Sequence, residues 1–191
     1  MATERYSHNE VPAVVGAVPS TPPYALDWGS AILGGLVGTV IITLMMYFVP
    51  PMMGMKPMDI GTMLGTMFLP HGGSTAFWLG LMMHFMMGIV FVLIYAAALL
   101  ALRRQSTWKS GAVFGIVLWL IGPMLMMPVM MAMHPLVQAG AMMKPGFFML
   151  GMGKGLMPAL SSLMMHLFYA VAAALIYKHR LRPICAQSKE Q

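Results

Sequence analysis

Two histidines in matching sequence surroundings are the residues best suited to chemistry in this chain. His84 ends the run Leu81-Met82-Met83-His84, and His166 ends Leu163-Met164-Met165-His166, 82 positions later. Each follows the start of a long apolar segment by a distance that places it roughly 12–13 Å along a helix, near the middle of a bilayer. A polar side chain at that depth is expected to face other protein groups and to have a partner there.

Three interpretations of this histidine pair stay open. The first is a structural polar contact to the other histidine, a tyrosine, a carbonyl or water, which contributes about 1 kcal/mol. The second is a metal site with methionine as co-ligand. The third is a b-type haem with both imidazoles as axial ligands. A proton relay would also use histidine, but acidic partners are absent from the apolar segments.

Methionine is the second chemically informative residue type. Apart from Met1, the 26 methionines fall in two windows, twelve in residues 45–87 and thirteen in residues 124–165. Thioether and imidazole groups both suit Cu(I), and several methionines are spaced by four, which places them on one helix face. Methionine is also a flexible filler of apolar cores, so core packing is the competing explanation. The predicted metal ligands are His84, His166, Met83, Met87, Met165, Met127, Met131 and His134.

The elements that must position these groups are four apolar segments. They cover residues 29–49, 76–102, 111–133 and 157–177, and the chain is 59% hydrophobic with 8% charged residues. Soluble domains carry about 25% charged residues. The predicted fold is therefore an all-α membrane protein with four transmembrane helices. Pro123 and Pro128 predict a kink in the third, and a short helix is expected near residues 58–68.

The chain reads as two copies of one helix pair. The offset of 82 also relates Tyr95 to Tyr177, and an offset of 81 relates Leu44-Met45-Met46 to Leu125-Met126-Met127. Each copy has two spans, which predicts a parallel tandem repeat of two helical hairpins. The predicted organisation is a flexible N-terminal tail (1–28), a first two-span repeat (29–102), a basic loop (103–110), a second two-span repeat (111–178) and a basic C-terminal tail (179–191).

Small residues spaced along the spans predict where helices approach closely. In a membrane, helix association depends on van der Waals packing, which small residues favour. The predicted packing residues are Gly34, Gly38, Gly80, Gly88, Gly111, Gly115, Ser162 and Ala170.

Basic residues predict the orientation. They cluster in the 103–109 loop and after residue 177, which by the positive-inside rule places both termini on the cytoplasmic side of the inner membrane. The single cysteine, Cys185, excludes an internal disulfide.

The pattern His84-Phe85-x-x-Gly88-x-x-Phe91-x-x-x-Tyr95, together with glycine-rich first and third spans, resembles a family of uncharacterised bacterial four-span integral membrane proteins. The resemblance covers residues 29–180. It implies the fold and topology and carries no activity.

The expected function is that of a non-enzymatic membrane protein. The sequence contains no nucleophile–base pair, paired carboxylates, phosphate loop or zinc motif. The leading hypothesis is a scaffold or accessory subunit of a membrane complex, in contact with lipid and with other membrane subunits or further copies of itself, and not with nucleic acid. The alternatives are Cu(I) binding or transport through the methionine and histidine cluster, and electron transfer by a b-haem held by His84 and His166.

Overall fold

Four helices of the protein are long and apolar enough to cross a membrane. The computed structural model describes residues 24–152, 154–178 and 180–181. The four candidate spans are α1 (Trp28–Met52), α3 (Gly73–Ala101), a composite third span (Trp108–Met133) and α7 (Met157–Ile176). They confirm the four predicted helices and are compatible with a multi-pass membrane protein.

Shorter elements connect and interrupt these spans. The third span consists of α4 (Trp108–Ile121), a π-helical segment (Gly122–Met126) and α5 (Met127–Met133). The remaining elements are α2 (Ile60–Gly65), α6 (Pro135–Gln138), a 3-10 segment (Phe147–Met152) and two short strands, β1 (Tyr24–Ala25) and β2 (Arg180–Leu181). Most of the two predicted tails, including Cys185, lies outside the described residues.

The two ends of the helix bundle differ in what they carry. One end, called the termini face below, holds residues 24–27, 102–107, 177–178 and 180–181. The other end, called the loop face, holds residues 53–72, 134–152 and 154–156. At the termini face β1 pairs with β2 in antiparallel orientation. The Ser30 hydroxyl also lies 3.2 Å from the Lys178 carbonyl. Burial raises the pKa of the Tyr177 hydroxyl there, and the charge of Asp27 acts in the same direction.

Helix α1 lies between α3 and α7, and α7 lies between α1 and α4. Glycine permits these approaches. A Cβ atom on Gly34 would lie 3.0 Å from the carbonyl oxygen of Ala173 in α7, and one on Gly35 would lie 2.7 Å from the Ile89 Cα in α3. Neighbouring glycines therefore serve two different helices, because successive residues point about 100° apart around α1.

The packing of α4 on α7 repeats this principle. A Cβ atom on Gly111 would lie 2.6 Å from the Ala174 Cβ, and one on Gly115 would lie 2.9 Å from the His166 carbonyl oxygen. The predicted contact role of Gly111 and Gly115 thus corresponds to real close approaches. The helix begins with a capping box, in which the side chains of Thr107 and Ser110 each bind the other residue's backbone N–H.

Helix α2 folds back from the loop face onto the beginning of α3. Its N-cap is Asp59, whose carboxylate accepts a hydrogen bond from the Thr62 backbone N–H at 2.9 Å. The short helix lies within the range expected from the sequence. Gly61 and Gly65 of α2 meet Gly80 and Ala76 of α3 so closely that any added Cβ would overlap backbone atoms.

The third span loses its regular α-helical turn at Pro123. The backbone forms a π-helical segment there, and the Met127 N–H donates to the Gly122 carbonyl, five residues earlier. Proline lacks the N–H that an α-helix needs and clashes with the preceding turn, so a wider turn relieves both problems. The disruption predicted from the two prolines is a local change of helix type, and Pro128 lies at the start of α5.

Replacement of Gly80 by alanine tests this glycine packing. Alanine favours a helix over glycine by about 0.5–1 kcal/mol, but overpacking costs about 1–3 kcal/mol. Because the new Cβ would meet the Gly61 carbonyl oxygen, we expect Gly80→Ala to lower the melting temperature in detergent. The matched control is Gly29→Ala, where the nearest contact is an ordinary 3.6 Å. A Gly80→Ala protein as stable as this control would contradict the packing.

Candidate metal-binding cavity

A cavity of about 150 Å³ lies at the centre of the bundle, and both matched histidines line it. Residues of α1, α3, α7, the π-helical segment and α5 form its walls. Residues of α2 also line the cavity, together with Met58 and Met149, and all of these belong to the loop face. The cavity therefore brings together parts of the chain that are far apart in sequence.

Methionine dominates the cavity lining. Of the predicted ligands, the structure brings together His84, His166, Met87, Met127 and Met165. Met126, Met130 and Met63, which belong to pairs spaced by four, also line it. The full set of lining methionines is Met46, Met58, Met63, Met87, Met126, Met127, Met130, Met149 and Met165. By contrast, Met82 and Met86 are 55% and 58% exposed and point away from the protein core.

His166 is held in a defined tautomer. Its Nδ1 lies 2.7 Å from the Ser162 carbonyl oxygen, one turn earlier in α7. A carbonyl oxygen only accepts, so Nδ1 carries the proton and donates it, and Nε2 keeps its lone pair. A Cβ built on Gly122 would lie 3.6 Å from that Nε2. The imidazole is thus oriented as metal-binding histidines are, with one nitrogen fixed by a backbone carbonyl and the other available.

His84 carries a buried nitrogen without a partner. Among the described residues, no group forms a hydrogen bond with its Nε2. The ring packs edge-on against Phe85, with 6.3 Å between the ring centroids. A buried polar atom without a partner costs about 1–3 kcal/mol. The sequence predicted a partner for this histidine, and no described residue provides one for Nε2.

Contacts between helices define the depth of each group. Gly88 of α3 meets the Thr39 side chain, and Gly38, next to Thr39, meets Tyr169 of α7, so these residues share one level. His84 precedes Gly88 by four residues and His166 precedes Tyr169 by three, which places them roughly 6 Å and 4.5 Å nearer the loop face. The two imidazoles therefore lie at similar depth, above a base that Tyr169 and Thr39 form.

The lining methionines of α1 and the third span lie on the loop-face side of that level. Met46 follows Ile42 by one turn as α1 runs toward the loop face. Met126, Met127 and Met130 follow Gly122, whose Cα faces the His166 ring, as the third span runs the same way. Thioethers therefore occupy the space between the imidazoles and the loop face.

An unusual backbone conformation positions Met149. Phe148 and Met149 both have left-handed backbone angles, with φ of 49° and 60°. Such angles cost a non-glycine residue about 1–3 kcal/mol and persist where the surroundings enforce them. The Phe148 ring lies 5.3 Å from Trp119, and the Trp119 Nε1–H donates to the Ala159 carbonyl at 2.9 Å. These contacts hold the turn that buries Met149 in the cavity.

Three predicted ligands lie elsewhere, because packing turns them away from the cavity. Met83 and Met131 do not line it. His134 is fully buried, but both of its ring nitrogens have protein partners: Nε2 lies 3.0 Å from the Met63 carbonyl and 3.2 Å from the Thr66 hydroxyl, and Nδ1 accepts from the Leu136 N–H at 3.2 Å. In this arrangement His134 joins the start of α6 to α2 and has no free lone pair.

Sequence reasoning missed Met46, Met58 and Met149. Met46 belongs to the repeated Leu44-Met45-Met46 triplet and was detectable as the counterpart of Met127. Met58 and Met149 lie in loops, where no helical spacing indicates the direction of a side chain.

Comparison with known protein families, curated proteins and solved structures finds no match. Within the described part of the chain, no group of three or more His, Cys, Asp and Glu residues could hold a metal ion. The chemistry of the cavity therefore depends on two imidazoles and the thioethers around them.

Replacement of His134 by alanine tests its structural position. The change removes the hydrogen bond that the Leu136 N–H donates, and it leaves the Met63 carbonyl with the Thr66 hydroxyl as its side-chain donor. A buried polar group left unpaired costs about 1–3 kcal/mol. We expect His134→Ala to lower the melting temperature clearly. His71→Ala is the matched control, because His71 is exposed at the loop face. Equal stability of the two variants would show that the His134 contacts contribute nothing.

Proposed function

We propose that this protein binds Cu(I) in the central cavity. The single observation that supports this most is that nine thioethers and two imidazoles line one small cavity among apolar helices. Methionine and histidine are suitable ligands for Cu(I), which accepts soft sulfur donors. Core packing alone would explain the methionines, but it does not explain why an imidazole with a free lone pair and another with an unpartnered nitrogen line the same cavity as the sulfurs.

The donor set favours Cu(I) over Zn²⁺. Zinc is held in proteins by cysteine, histidine and carboxylate groups, usually four of them, or three and a water. The described residues offer no group of three such side chains, and the cavity offers two imidazoles. Thioethers must complete the coordination, and they suit the softer ion.

We propose that the ligands act in sequence. The thioethers nearer the loop face receive the ion, and His84 and His166 hold it at the greatest depth. Met87 follows His84 by three residues on α3. Its side chain is directed back toward the start of the helix, and so toward the imidazole level.

We favour Cu(I) over haem because of the volume of the cavity. Small-molecule and cofactor pockets have volumes of about 300–1,000 Å³, and this cavity has about 150 Å³. This volume supports Cu(I) over a b-haem between His84 and His166.

We also propose the tandem repeat and the membrane orientation. Two matched pairs support the repeat: His84 and His166 line one cavity, and the Tyr95 and Tyr177 rings lie 6.3 Å apart. The repeat is imperfect, because the second copy alone has the π-helical segment in the composite span. The basic residues of the 103–109 loop support an inner-membrane location with both termini cytoplasmic, so the loop face would be extracytoplasmic.

The scaffold or accessory-subunit function, like the absence of catalysis, stays a prediction. Several large apolar side chains lie on the outer surface of the bundle: Trp28, Phe48 and Trp78 are 61%, 66% and 65% exposed. Such faces suit lipid as well as a protein partner. A protein that bound no copper would favour the scaffold function.

The proposal is tested by titration of anaerobically purified protein with Cu(I) against a competing chelator. We expect stoichiometric binding. Changes outside the ligand shell already weaken metal sites about 10–100-fold, so His84→Ala combined with His166→Ala should weaken binding by more than about 100-fold. Met82→Leu with Met86→Leu is the matched control, because both side chains are more than half exposed. Copper affinity unchanged by the histidine replacements would remove the imidazoles from the site.

An absorption spectrum of the same purified sample tests the haem alternative. Because of the cavity volume, we expect no Soret band, whether or not haem is supplied during expression. A Soret band that disappears with His166→Ala would overturn this expectation and restore the electron-transfer hypothesis.

A further inference from the structure

The space between the cavity and the termini face is filled by tightly packed side chains. Tyr169 is 3% exposed, and its hydroxyl donates a hydrogen bond to the Gly88 carbonyl. Its ring packs against α1 at Gly38, where an added Cβ would lie 2.9 Å from the ring. Tyr169 thereby connects α7 to α3 and contacts α1, so it closes the base of the cavity on three helices.

A second layer lies deeper, centred on Tyr95. Its ring stacks on Phe114 of α4 with 4.8 Å between centroids. Its hydroxyl lies 2.7 Å from the Ser110 hydroxyl and 2.9 Å from the Ser106 hydroxyl. Ser106 in turn donates to the Ala174 carbonyl of α7 at 2.7 Å. This network joins α3, α4, α7 and the 102–107 loop at the termini face.

The helices between these two layers offer a Cu(I) ion no ligand. Tyr95 follows His84 by eleven residues, roughly 16 Å along α3. The helix segments 28–38, 88–95, 108–118 and 169–177 contain no Met, His or Cys. Buried residues there include Val92, Ala170 and Ala173, each at 0% exposure. An ion that left the imidazoles in this direction would lose its ligands without gaining water.

The cavity also has a cover on the side of the loop face, and this cover differs from the packed layers on the termini side. Its contribution to the cavity includes the flexible side chains of Met58, Met63 and Met149. Thioether side chains have three rotatable bonds and adapt to irregular space. Exchange through this cover requires side-chain rotation and keeps sulfur ligands in reach at each step.

From this asymmetry we infer that the cavity exchanges Cu(I) with the loop face alone, and that the protein holds the ion without conducting it across the membrane. The inference rests on the proposed Cu(I) function and specifies it further. The partner on the loop face is then a carrier that presents or accepts Cu(I) by exchange of soft ligands, with no change in the oxidation state of the metal.

Membrane vesicles of known orientation test this inference. Protein loaded with Cu(I) under anaerobic conditions is exposed to a membrane-impermeant Cu(I) chelator, bathocuproine disulfonate. Cys185, the single cysteine, follows α7 in the sequence and reports the orientation through an impermeant maleimide. With the loop face outside, we expect rapid removal of copper. With the termini face outside, removal should be at least about tenfold slower, and no copper should accumulate in the lumen.

A cysteine-accessibility experiment tests the same closure without copper. In a Cys185→Ser background, Met87→Cys places a thiol in the cavity wall. Met82→Cys on the same helix is the control, because Met82 is 55% exposed on the apolar outer surface of the bundle. An impermeant thiol reagent should label Met87→Cys from the loop face and not from the termini face. It should label Met82→Cys from neither.

The outcomes separate the two proposals. Protein that retains no copper would overturn the proposed function, while thiol labelling would still decide whether the termini side is closed. Copper that is bound but released equally to both faces, or that accumulates in the lumen, would overturn the one-sided holding site and leave copper binding intact. Labelling of Met87→Cys from the termini face would also overturn it.

Discussion

The close approach of α1 to both of its neighbours is the constraint on which the rest of the structure depends. Gly34 and Gly38 admit the backbone of α7, and Gly35 admits the backbone of α3, all within little more than one helical turn. Helices in a membrane gain no hydrophobic free energy from meeting each other, so such contacts must supply the packing energy. Because the helices are held this tightly at the level of Gly38 and below, the space left among them lies toward the loop face, and the cavity forms there.

The cavity combines two kinds of side chain with different physical behaviour. The imidazole of His166 is fixed by a backbone carbonyl of its own helix, so its orientation is determined before any ligand arrives. The methionines are flexible and adapt to what the helices leave open. A rigid nitrogen donor at depth and mobile sulfur donors above it make up the graded site that we propose. A soluble metal centre usually reaches comparable rigidity through a shell of carboxylates, which the apolar interior of a membrane disfavours.

The sequence predicted well which segments and residues lie inside the helix bundle, and it predicted poorly the direction in which individual side chains point. Hydropathy located the four spans to within a few residues, and small-residue spacing identified Gly34, Gly38, Gly111 and Gly115 as contact positions, because both properties are local. The direction of a side chain depends on how the helices rotate against each other, which local spacing does not determine. His134 and Met131 were therefore predicted as ligands but lie outside the cavity lining, and Met58 and Met149 were missed because their loops fold back over it. His134 in particular has the residue type of a ligand but forms the contacts of a helix cap.

The π-helical segment at Gly122–Met126 determines which side of α5 turns toward the cavity. A π turn contains one residue more than an α turn, so everything that follows is rotated by about 100° relative to a regular helix. Met126, Met127 and Met130 face the cavity in that rotated register. If Gly122–Met126 became a regular α-helix with no residue lost, a different side of α5 would turn inward, while composition and hydropathy would hardly change. A chain with the same number of methionines could in this way lack the cavity lining altogether, so methionine content by itself is a poor guide to whether a related protein has the site.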